Sequence, residues 1–254
     1  MLLAVDVGNT HVVLGLFVKG ELAASFRLQS DVSRTVDEYA IDILTLLQAA
    51  GFKPEQISQI VISCVVPALT RVFSKLAVKY CSLQPLIVGP GVKTGMQIHC
   101  DDPRSVGADR IVNALAAKTL YGAPVVIVDF GTATTFDVVG PQGAYEGGLI
   151  SPGLIISSNA LFEKAAKLSS IELKTPNVLI GKNTADSMLS GIVFGYVGLV
   201  DGILDRLRQE LGSDLKIVAT GGLASMIAEE SEYITEVIPD LTLTGLKLVG
   251  DMNT

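Results

Sequence analysis

Two short segments of the chain carry an acid, a glycine and hydroxyl groups in the same order. The first is Asp6-Val-Gly-Asn-Thr10 and the second is Asp129-Phe-Gly-Thr-Ala-Thr-Thr135. Each lies between two apolar, β-rich runs, so each is predicted to be the turn of a hairpin. Backbone N–H groups, hydroxyls and one carboxylate at a single turn suit a phosphate chain and its cation. The repetition predicts two lobes that face each other across one nucleotide.

The first segment also has a simpler interpretation. Asp, Gly and Asn favour β-turns in any protein, so this stretch alone does not prove a binding site. As a phosphate site, Gly8 would adopt a positive φ and allow close approach of a phosphate, and Asn9 and Thr10 would supply donors. Asp6 ends an apolar strand, where a buried carboxylate requires a cation or donors nearby. The second copy favours the nucleotide interpretation.

A third segment, Gly107-Ala-Asp-Arg110, lies at a predicted helix start. A hydroxyl that accepts a phosphoryl group needs a carboxylate within hydrogen-bond reach, and Asp109 is the candidate. Arg110 could hold an anionic substrate group through its planar fork. Without other information, a helix-capping aspartate and a solvated arginine fit these two residues better.

Several glycine-rich corners and one long helix complete the candidate features. Gly221-Gly222 follows an apolar strand and either passes close to a flat ring such as adenine or forms a plain strand-to-helix turn. Tyr145-Glu-Gly-Gly148 and Ser151-Pro-Gly153 shape either a pocket wall or a tight corner. Thr184 is predicted to cap a helix over about 185–211. Glycines in that helix weaken it unless something packs closely there, which predicts a helix seam between subunits.

Hydrophobic patterning predicts an α/β protein with a mixed sheet in each half. Strands are predicted at 2–7, 12–18, 22–28, 57–66 and 86–88, and again near 124–129, 134–140, 145–150, 215–219 and 233–238. Helices are predicted after the capping box of Thr35 and Glu38, after Pro67, after Arg110, after Gly153 and at the C-terminus. The boundary between an N-terminal lobe, 1–118, and a C-terminal lobe, 119–254, is placed just before the second hairpin.

Composition limits the classes of function. The chain has 254 residues and a net charge of −7, without a basic run, so a nucleic-acid footprint is not expected. Cys64, Cys81 and Cys100 are predicted to be reduced thiols of a cytoplasmic protein. The N-terminus reaches Asp6 without a basic region and is predicted to be a strand rather than a signal peptide. The uncharged stretch 147–162 contains Gly, Pro and Ser and is too short to predict a membrane span.

The motifs together resemble a known family. Paired hairpins and a late Gly-Gly turn resemble the acetate kinase, sugar kinase, heat-shock protein and actin superfamily, whose lobes have a ribonuclease H-like (actin-like ATPase) fold. The set resembles type III pantothenate kinase over essentially the whole chain. Its motifs here are Asp6-Val-Gly-Asn-Thr, Gly107-Ala-Asp-Arg-Ile-Val-Asn-Ala, Val128-Asp-Phe-Gly-Thr-Ala-Thr-Thr, Glu146-Gly-Gly-Leu-Ile-Ser-Pro-Gly and Thr220-Gly-Gly-Leu.

The resemblance implies ATP-dependent phosphorylation of the primary hydroxyl of pantothenate, the first step of coenzyme A biosynthesis. It implies that ATP phosphates contact Asp6, Val7, Gly8, Asn9, Thr10, His11, Val12 and Val13, and that Thr132 contacts ATP. Asp6 would help hold Mg²⁺, and Asp129 would bind the K⁺ or NH₄⁺ that the family requires. Asp109 would be the general base. Gly107, Ala108, Asp109 and Arg110 would line the pantothenate site, which Thr184 reaches from the neighbouring subunit of a homodimer.

Two positions depart from the family pattern, and two rival functions remain open. His11 stands where Asn is frequent, with little expected effect. Cys100, beside His99, occupies a position that is an aromatic substrate contact in some members, which leaves the details of pantothenate binding open. The first rival is a sugar or amino-sugar kinase of the same superfamily. The second is a non-catalytic transcription regulator on the same scaffold, against which Asp109, Asp129, Thr132 and the lack of a basic face argue.

Overall fold

Three antiparallel strands begin the chain in a computed structural model that describes residues 1–164 and 171–254. They are β1 (Leu2–Val7), β2 (His11–Val18) and β3 (Glu21–Gln29). β4 (Gln59–Cys64) and β5 (Leu86–Ile87) join them in parallel, which gives the sheet order β3-β2-β1-β4-β5. The parallel neighbours require crossover helices. These are α1 (Val36–Ala49) and α2 (Pro67–Cys81).

The second half repeats this topology. β6 (Val125–Phe130), β7 (Ala133–Val139) and β8 (Tyr145–Pro152) form the antiparallel meander, and β9 (Lys216–Gly221) and β10 (Glu236–Val237) add in parallel. The sheet order β10-β9-β6-β7-β8 is the same as that of the first sheet, with β6 to β10 in the places of β1 to β5. The predicted α/β class with one mixed sheet in each half is therefore confirmed. The last strand is shorter than the predicted 233–238, because only two of its residues pair with β9.

The remaining helices are α3 (Ala108–Tyr121), α4 (Leu154–Lys164), α5 (Thr184–Leu211), α6 (Ala224–Ala228) and α7 (Leu241–Met252). Local signals placed most helix starts. At α1, Thr35 accepts a hydrogen bond from the Glu38 N–H while the Glu38 carboxylate accepts one from the Thr35 N–H, so the predicted capping box is present. Pro67 occupies the first turn of α2, where its missing N–H removes no helical hydrogen bond.

The chain divides into two compact units. Unit 1 comprises Met1–Gln97, Asp101–Ala116 and Asp240–Thr254, and unit 2 comprises Ile98–Cys100 and Ala117–Pro239. The unit 1 sheet is buried on both faces. Leu3, Val5 and Val7 face the helices α1 and α2, whereas Leu2 and Ala4 face a cluster with residues of α3 and α7. Burial on both faces explains why β1 is apolar throughout rather than alternating.

The C-terminal helix α7 belongs to the unit that contains the N-terminal sheet. A Cβ on Gly245 would overlap the carbonyl of Val112, and a Cβ on Gly250 would lie 2.5 Å from Leu2 Cδ1. Gln59 Nε2 donates to the Gly250 carbonyl at 2.9 Å. The predicted lobes, 1–118 and 119–254, follow the order of the chain and therefore put α7 in the C-terminal lobe, whereas the compact units put it in unit 1. The division into two functional lobes stays a prediction.

In unit 2, α5 packs on the sheet through Tyr196, Val197, Val200 and Leu204, which are buried in one cluster with β6 and β9. Among residues 1–164 and 171–254, α5 is the one helix whose length and composition would allow a membrane span. A core helix of a soluble protein passes the same test. The packed face of α5, together with the charges of Asp201, Asp205, Arg206 and Arg208, indicates a core helix.

Candidate active site

The first hairpin presents its polar residues at the end of the unit 1 sheet. Gly8 N–H donates to the His11 carbonyl at 2.9 Å and closes the turn, while Asn9 and Thr10 are exposed. The expected positive φ at Gly8 is wrong, because Gly8 lies outside the left-handed region. The glycine instead permits close packing, since a Cβ there would lie 3.1 Å from the His11 carbonyl oxygen. Burial and the charge of Arg27 lower the pKa of His11.

Asp6 lies on the sheet face that packs against α3. It is in register with Val13 of β2 and with Ser63 of β4, and it alternates with Val5 and Val7 of the opposite face. The same face carries Leu2 and Ala4, which pack with residues of α3. Unit 1 therefore places the acid of the first hairpin and the helix that begins with Ala108 and Asp109 on one side of one sheet.

Asp109 occupies the first turn of α3 in a half-buried environment. Burial raises the pKa of its carboxyl above the ordinary value, and the hydrogen bond and charge of Arg110 partly offset this shift. The hydrogen bond runs from the Arg110 N–H to Asp109 Oδ1 over 2.8 Å. A Cβ on Gly107 would overlap Asp109 Oδ1, so the glycine leaves room for this carboxylate position. A carboxylate with a raised pKa is a stronger proton acceptor, as a general base requires.

The second hairpin is enclosed by two glycines from distant parts of unit 2. A Cβ on Gly153 would overlap the Thr132 carbonyl, and a Cβ on Gly221 would lie 2.6 Å from the Phe130 carbonyl oxygen and 2.7 Å from Asp129 Oδ1. Gly221 also has a φ of +95°, which disfavours other residues. The motifs around 146–153 and 220–222 therefore meet at the turn that carries Asp129 and Thr132. The close approach at Gly221 is to Phe130 and Asp129, and the predicted approach to a ring such as adenine stays a prediction.

Asp137 is a buried acid that the sequence analysis missed. It lies on the same sheet face as Asp129, because Asp129 pairs with Thr135 two residues before it. Its carboxylate accepts hydrogen bonds from Tyr145 Oη at 2.7 Å and from Thr135 Oγ1 at 3.0 Å. The sequence feature that could have indicated a buried acid is its place inside the otherwise apolar run Phe-Asp-Val-Val. Hydrogen bonds satisfy this charge and fix β7 to β8 beside the candidate cation ligand.

The segment 98–100 joins the edge of the unit 2 sheet. His99 N–H donates to the Tyr145 carbonyl at 2.9 Å, and Ile98 forms a parallel bridge with Tyr145. His99 Nδ1 lies 3.2 Å from Glu146 Oε1. The side chain of Cys100 is half-buried and would touch a Cβ on Gly147. Cys100, which departs from the family pattern, and its neighbour His99 therefore lie beside the Glu146-Gly147 corner.

Thr184 is exposed and is the first residue of α5. The prediction that it caps this helix is wrong. Asn183 is the N-cap, since its side-chain oxygen accepts from the Asp186 N–H at 2.9 Å. Asn is as good a cap as Thr, and the cap spacing selects the residue three positions before Asp186. The Thr184 side chain is thereby left available at the surface of unit 2.

An open groove of about 660 Å³ lies between α1 and α2 of unit 1. Its lining includes Val36, Lys75 and Val78, and the exposed ion pair between Lys79 and Asp37 crosses it. None of the predicted site residues lines this groove. The predicted site residues lie instead at the hairpin and the α3 start of unit 1 and at the hairpin of unit 2, and their carboxylates and hydroxyls are of the types that suit a phosphoryl group and its cations.

The comparison of the chain with protein families is decisive. The model of the type III pantothenate kinase family matches residues 2–206. The type III pantothenate kinase of Syntrophobacter fumaroxidans is 51% identical over 255 residues, which cover 100% of this chain and 98% of that protein. The chain belongs to the type III pantothenate kinase family. The family, the kinase class and pantothenate phosphorylation in coenzyme A biosynthesis, all predicted from the sequence motifs, are confirmed.

Solved structures agree on the fold. A protein of Campylobacter jejuni described as a Baf family transcriptional activator has a TM-score of 0.61 and 19% identity, with 99% of this chain and 98% of that chain covered. The ROK hexokinase of Thermus thermophilus has a TM-score of 0.51 and 12% identity, with 99% and 98% covered. At these identities the likeness concerns the fold alone. The predicted actin-like ATPase and sugar kinase fold of this type III pantothenate kinase is confirmed.

Proposed function

We propose that the protein transfers the γ-phosphoryl group of ATP to the primary hydroxyl of pantothenate and forms 4'-phosphopantothenate. Asp109 acts as the general base, and Gly107, Ala108 and Arg110 bind pantothenate with it. The observation that carries this assignment is the half-buried Asp109 carboxylate, whose pKa burial raises. A base with a higher pKa takes the hydroxyl proton more readily while the hydroxyl oxygen attacks phosphorus.

Residues Asp6, Val7, Gly8, Asn9, Thr10, His11, Val12 and Val13 bind the ATP phosphates, and Thr132 contacts ATP as well. The exposed Asn9 and Thr10 and the enclosed turn at Thr132 support this role, because their amides and hydroxyls can donate to phosphate oxygens. Asp6 helps to hold Mg²⁺, for which carboxylate oxygen is a suitable ligand. Magnesium neutralises charge on the transferred phosphoryl oxygens when it is bound.

Asp129 binds K⁺ or NH₄⁺ in this proposal. Asp129 Oδ1 and the Phe130 carbonyl oxygen both lie next to Gly221, since a Cβ on that glycine would be 2.7 Å from the first and 2.6 Å from the second. Hard monovalent cations prefer such oxygen ligands. The charge of the bound cation then adds to the amides and hydroxyls that stabilise the developing charge of the phosphoryl group.

An acceptor panel tests the reaction. Purified protein with Mg·ATP is assayed with pantothenate, glucose, N-acetylglucosamine and N-acetylmannosamine, and ADP formation is followed by a coupled reaction. We expect kcat/KM for pantothenate to exceed that for every sugar by at least about 10³-fold, because a site built to hydrogen-bond one acceptor leaves polar groups unpaired with another. A sugar that matches pantothenate would contradict the proposal.

Monovalent salts test the cation site in the same assay. We expect turnover with KCl or NH₄Cl, and a kcat at least about tenfold lower with NaCl alone. A tenfold lower kcat corresponds to a loss of about 1.4 kcal/mol in transition-state stabilisation. Asp129→Asn removes the carboxylate charge and lowers both turnover and the dependence on potassium. Full turnover in sodium would refute the role of Asp129.

The protein forms a homodimer through α5 and its neighbours in this proposal. A Cβ on Gly191, Gly195 or Gly198 would meet nothing within 4 Å, so these exposed helix glycines have no packing partner among the described residues of the chain. Unit 2 also exposes large apolar side chains on β8, α4, the 178–180 segment and α5. They include Ile150, Ile155, Ile156, Leu179, Ile180 and Leu199. Apolar surface of this kind is typical of an interface between copies.

Gly195→Arg tests the dimer. A large charged side chain on this face of α5 should prevent close helix packing and shift the protein to monomer in sedimentation equilibrium. Because Thr184 is proposed to reach the pantothenate site of the other subunit, the KM for pantothenate should also rise. Gln209→Arg, an exposed position near the end of the same helix, is the control and should remain dimeric. A dimeric Gly195→Arg protein would contradict this interface.

The enzyme is proposed to act in the cytoplasm on a small-molecule substrate, without nucleic acid or membrane partners. The net charge of −7 supports this, because an acidic surface repels the phosphates of DNA and of anionic lipids. Cys100 occupies the sequence position where some other family members use an aromatic substrate contact, and the neighbouring His99 Nδ1 lies 3.2 Å from Glu146 Oε1.

A further inference from the structure

The hydroxyl of Tyr196 crosses from α5 to the strands of the second hairpin. Its Oη lies 2.6 Å from Thr134 Oγ1, at the start of β7, and 3.1 Å from the carbonyl oxygen of Pro152, at the end of β8. Tyr196 is 5% exposed and Thr134 is 1% exposed, so both hydroxyls are withdrawn from water. Tyr196 shares its core cluster with Phe130 and Phe136, where a hydroxyl is costly unless it is hydrogen-bonded.

The two contacts form one chain of hydrogen bonds. A carbonyl oxygen can only accept, so the Tyr196 hydroxyl donates its single proton to Pro152. The Thr134 hydroxyl is then the donor in the shorter contact, and Tyr196 Oη accepts from it. The order of donation, from Thr134 through Tyr196 to Pro152, joins β7, α5 and β8 at one buried point.

Both partners of Tyr196 adjoin the turn that carries Thr132. Thr134 follows Thr132 by two residues, and Pro152 directly precedes Gly153. A Cβ on Gly153 would overlap the Thr132 carbonyl, so the backbone after Pro152 packs directly on this turn. The Tyr196 hydroxyl is therefore bonded both to the strand that leaves the turn and to the segment that packs against it.

We propose that Tyr196 is a positioning residue of the ATP site, whose hydroxyl fixes the second hairpin so that Thr132 meets the nucleotide. This inference rests on the proposed contact of Thr132 with ATP. A binding group works only if the elements behind it hold it within about 0.5 Å of its productive position, and buried hydrogen bonds supply that support. Phenylalanine at 196 would keep the packed ring and remove the acceptor of the Thr134 hydroxyl.

Steady-state kinetics of Tyr196→Phe test the proposal, with Mg·ATP and pantothenate varied in turn. We expect the KM for Mg·ATP to rise about fivefold, the factor that the loss of one uncharged hydrogen bond predicts. The KM for pantothenate should change by less than about twofold, because this variant alters the support of the ATP contact and not the start of α3, where pantothenate is proposed to bind.

Two substitutions of Thr134 separate the hydrogen bond from packing. Thr134→Val removes the hydroxyl and keeps the branched shape, so it should raise the KM for Mg·ATP as much as Tyr196→Phe does. The double variant should raise the KM no further, since both changes break the same bond. Thr134→Ser keeps the hydroxyl and should retain the normal KM. Equal KM values of Thr134→Val and Thr134→Ser would overturn the proposal, even if Tyr196→Phe did not fold.

Tyr233→Phe is the matched control in the same unit. Tyr233 Oη donates to Asp205 Oδ1 at 3.2 Å, so this variant also removes a tyrosine hydroxyl from a hydrogen bond with α5, but its partner is not part of the second hairpin. Its KM for Mg·ATP should be normal. The proposal is overturned if Tyr196→Phe lowers the thermal unfolding midpoint and leaves the KM for Mg·ATP unchanged, or if the KM values of both substrates rise by the same factor. If the unaltered protein does not phosphorylate pantothenate, the proposed function itself has failed.

Discussion

Asp109→Ala should lower kcat by about 10²- to 10⁴-fold, the usual contribution of a general base. The protein should remain folded, because the hydrogen bond that the Asp109 carboxylate accepts from the Arg110 N–H is local to the first turn of α3. Steady-state kinetics with pantothenate and Mg·ATP measure the effect, and circular dichroism checks the fold. Asp101→Asn, an exposed acid on the preceding segment, is the control and should retain normal turnover. Near-normal turnover of Asp109→Ala would refute the base assignment.

The raised pKa of Asp109 adds a stability test. Burial makes the folded protein hold this proton to a higher pH than the unfolded chain does. As pH rises from the unfolded pKa through the folded pKa, the folded state binds more protons than the unfolded state, so stability falls. At neutral pH the ionised carboxylate therefore opposes folding. Asp109→Asn should raise the unfolding midpoint at pH 7, with the gain disappearing at pH 3, while activity is lost.

Gly221→Ala should disrupt the second hairpin. A side chain at this position lowers the free energy of unfolding in two ways. A residue with a Cβ is strained at positive φ, which costs about 1–2 kcal/mol, and overpacking against Phe130 and Asp129 costs about 1–3 kcal/mol. Because Asp129 Oδ1 would lie 2.7 Å from the new Cβ, the carboxylate must move. We expect a lower free energy of unfolding in urea, lower turnover and a higher potassium concentration for half-maximal activity.

Gly212→Ala separates the two costs. Gly212 ends α5 with a φ of +103°, close to the +95° of Gly221, but a Cβ there would meet nothing within 4 Å. This variant should lose only the backbone contribution, about 1–3 kcal/mol for a residue forced into this sparsely populated φ/ψ region, and keep its potassium dependence. Equal destabilisation of both variants, with unchanged potassium dependence, would show that Gly221 does not position Asp129.

Local sequence signals predicted much of the molecule. Alternating and continuous apolar runs located the strands and helices, and the Thr35 and Glu38 spacing located a helix start to the residue. These signals depend on neighbours one to four positions apart, so they can be interpreted without a fold. Because such signals are local, they did not show which residue caps α5. Asn183 and Thr184 are both good capping residues, and only the formed helix distinguishes them.

The repeated hairpins show how much of the function a sequence pattern can predict. Acid, glycine and hydroxyl in the same order twice predicted a nucleotide-binding site, and the resemblance of the whole motif set predicted the kinase family. The pattern did not predict which glycines are required by packing. Gly8 proved to have an ordinary φ, whereas Gly153 and Gly221 are required by carbonyls and a carboxylate that lie tens of residues away in the chain.

By itself the sequence determined the order of the elements, the residue types at both turns and the class of reaction. The tertiary structure alone decided that α7 packs on the first sheet, that Asp137 is buried and Asp109 half-buried, and that Ser63 is in register with Asp6. The physical reason is the distance along the chain over which each effect arises. Turn and helix preferences arise within a few residues, whereas burial, which raises the pKa of Asp109, depends on segments that only folding brings together.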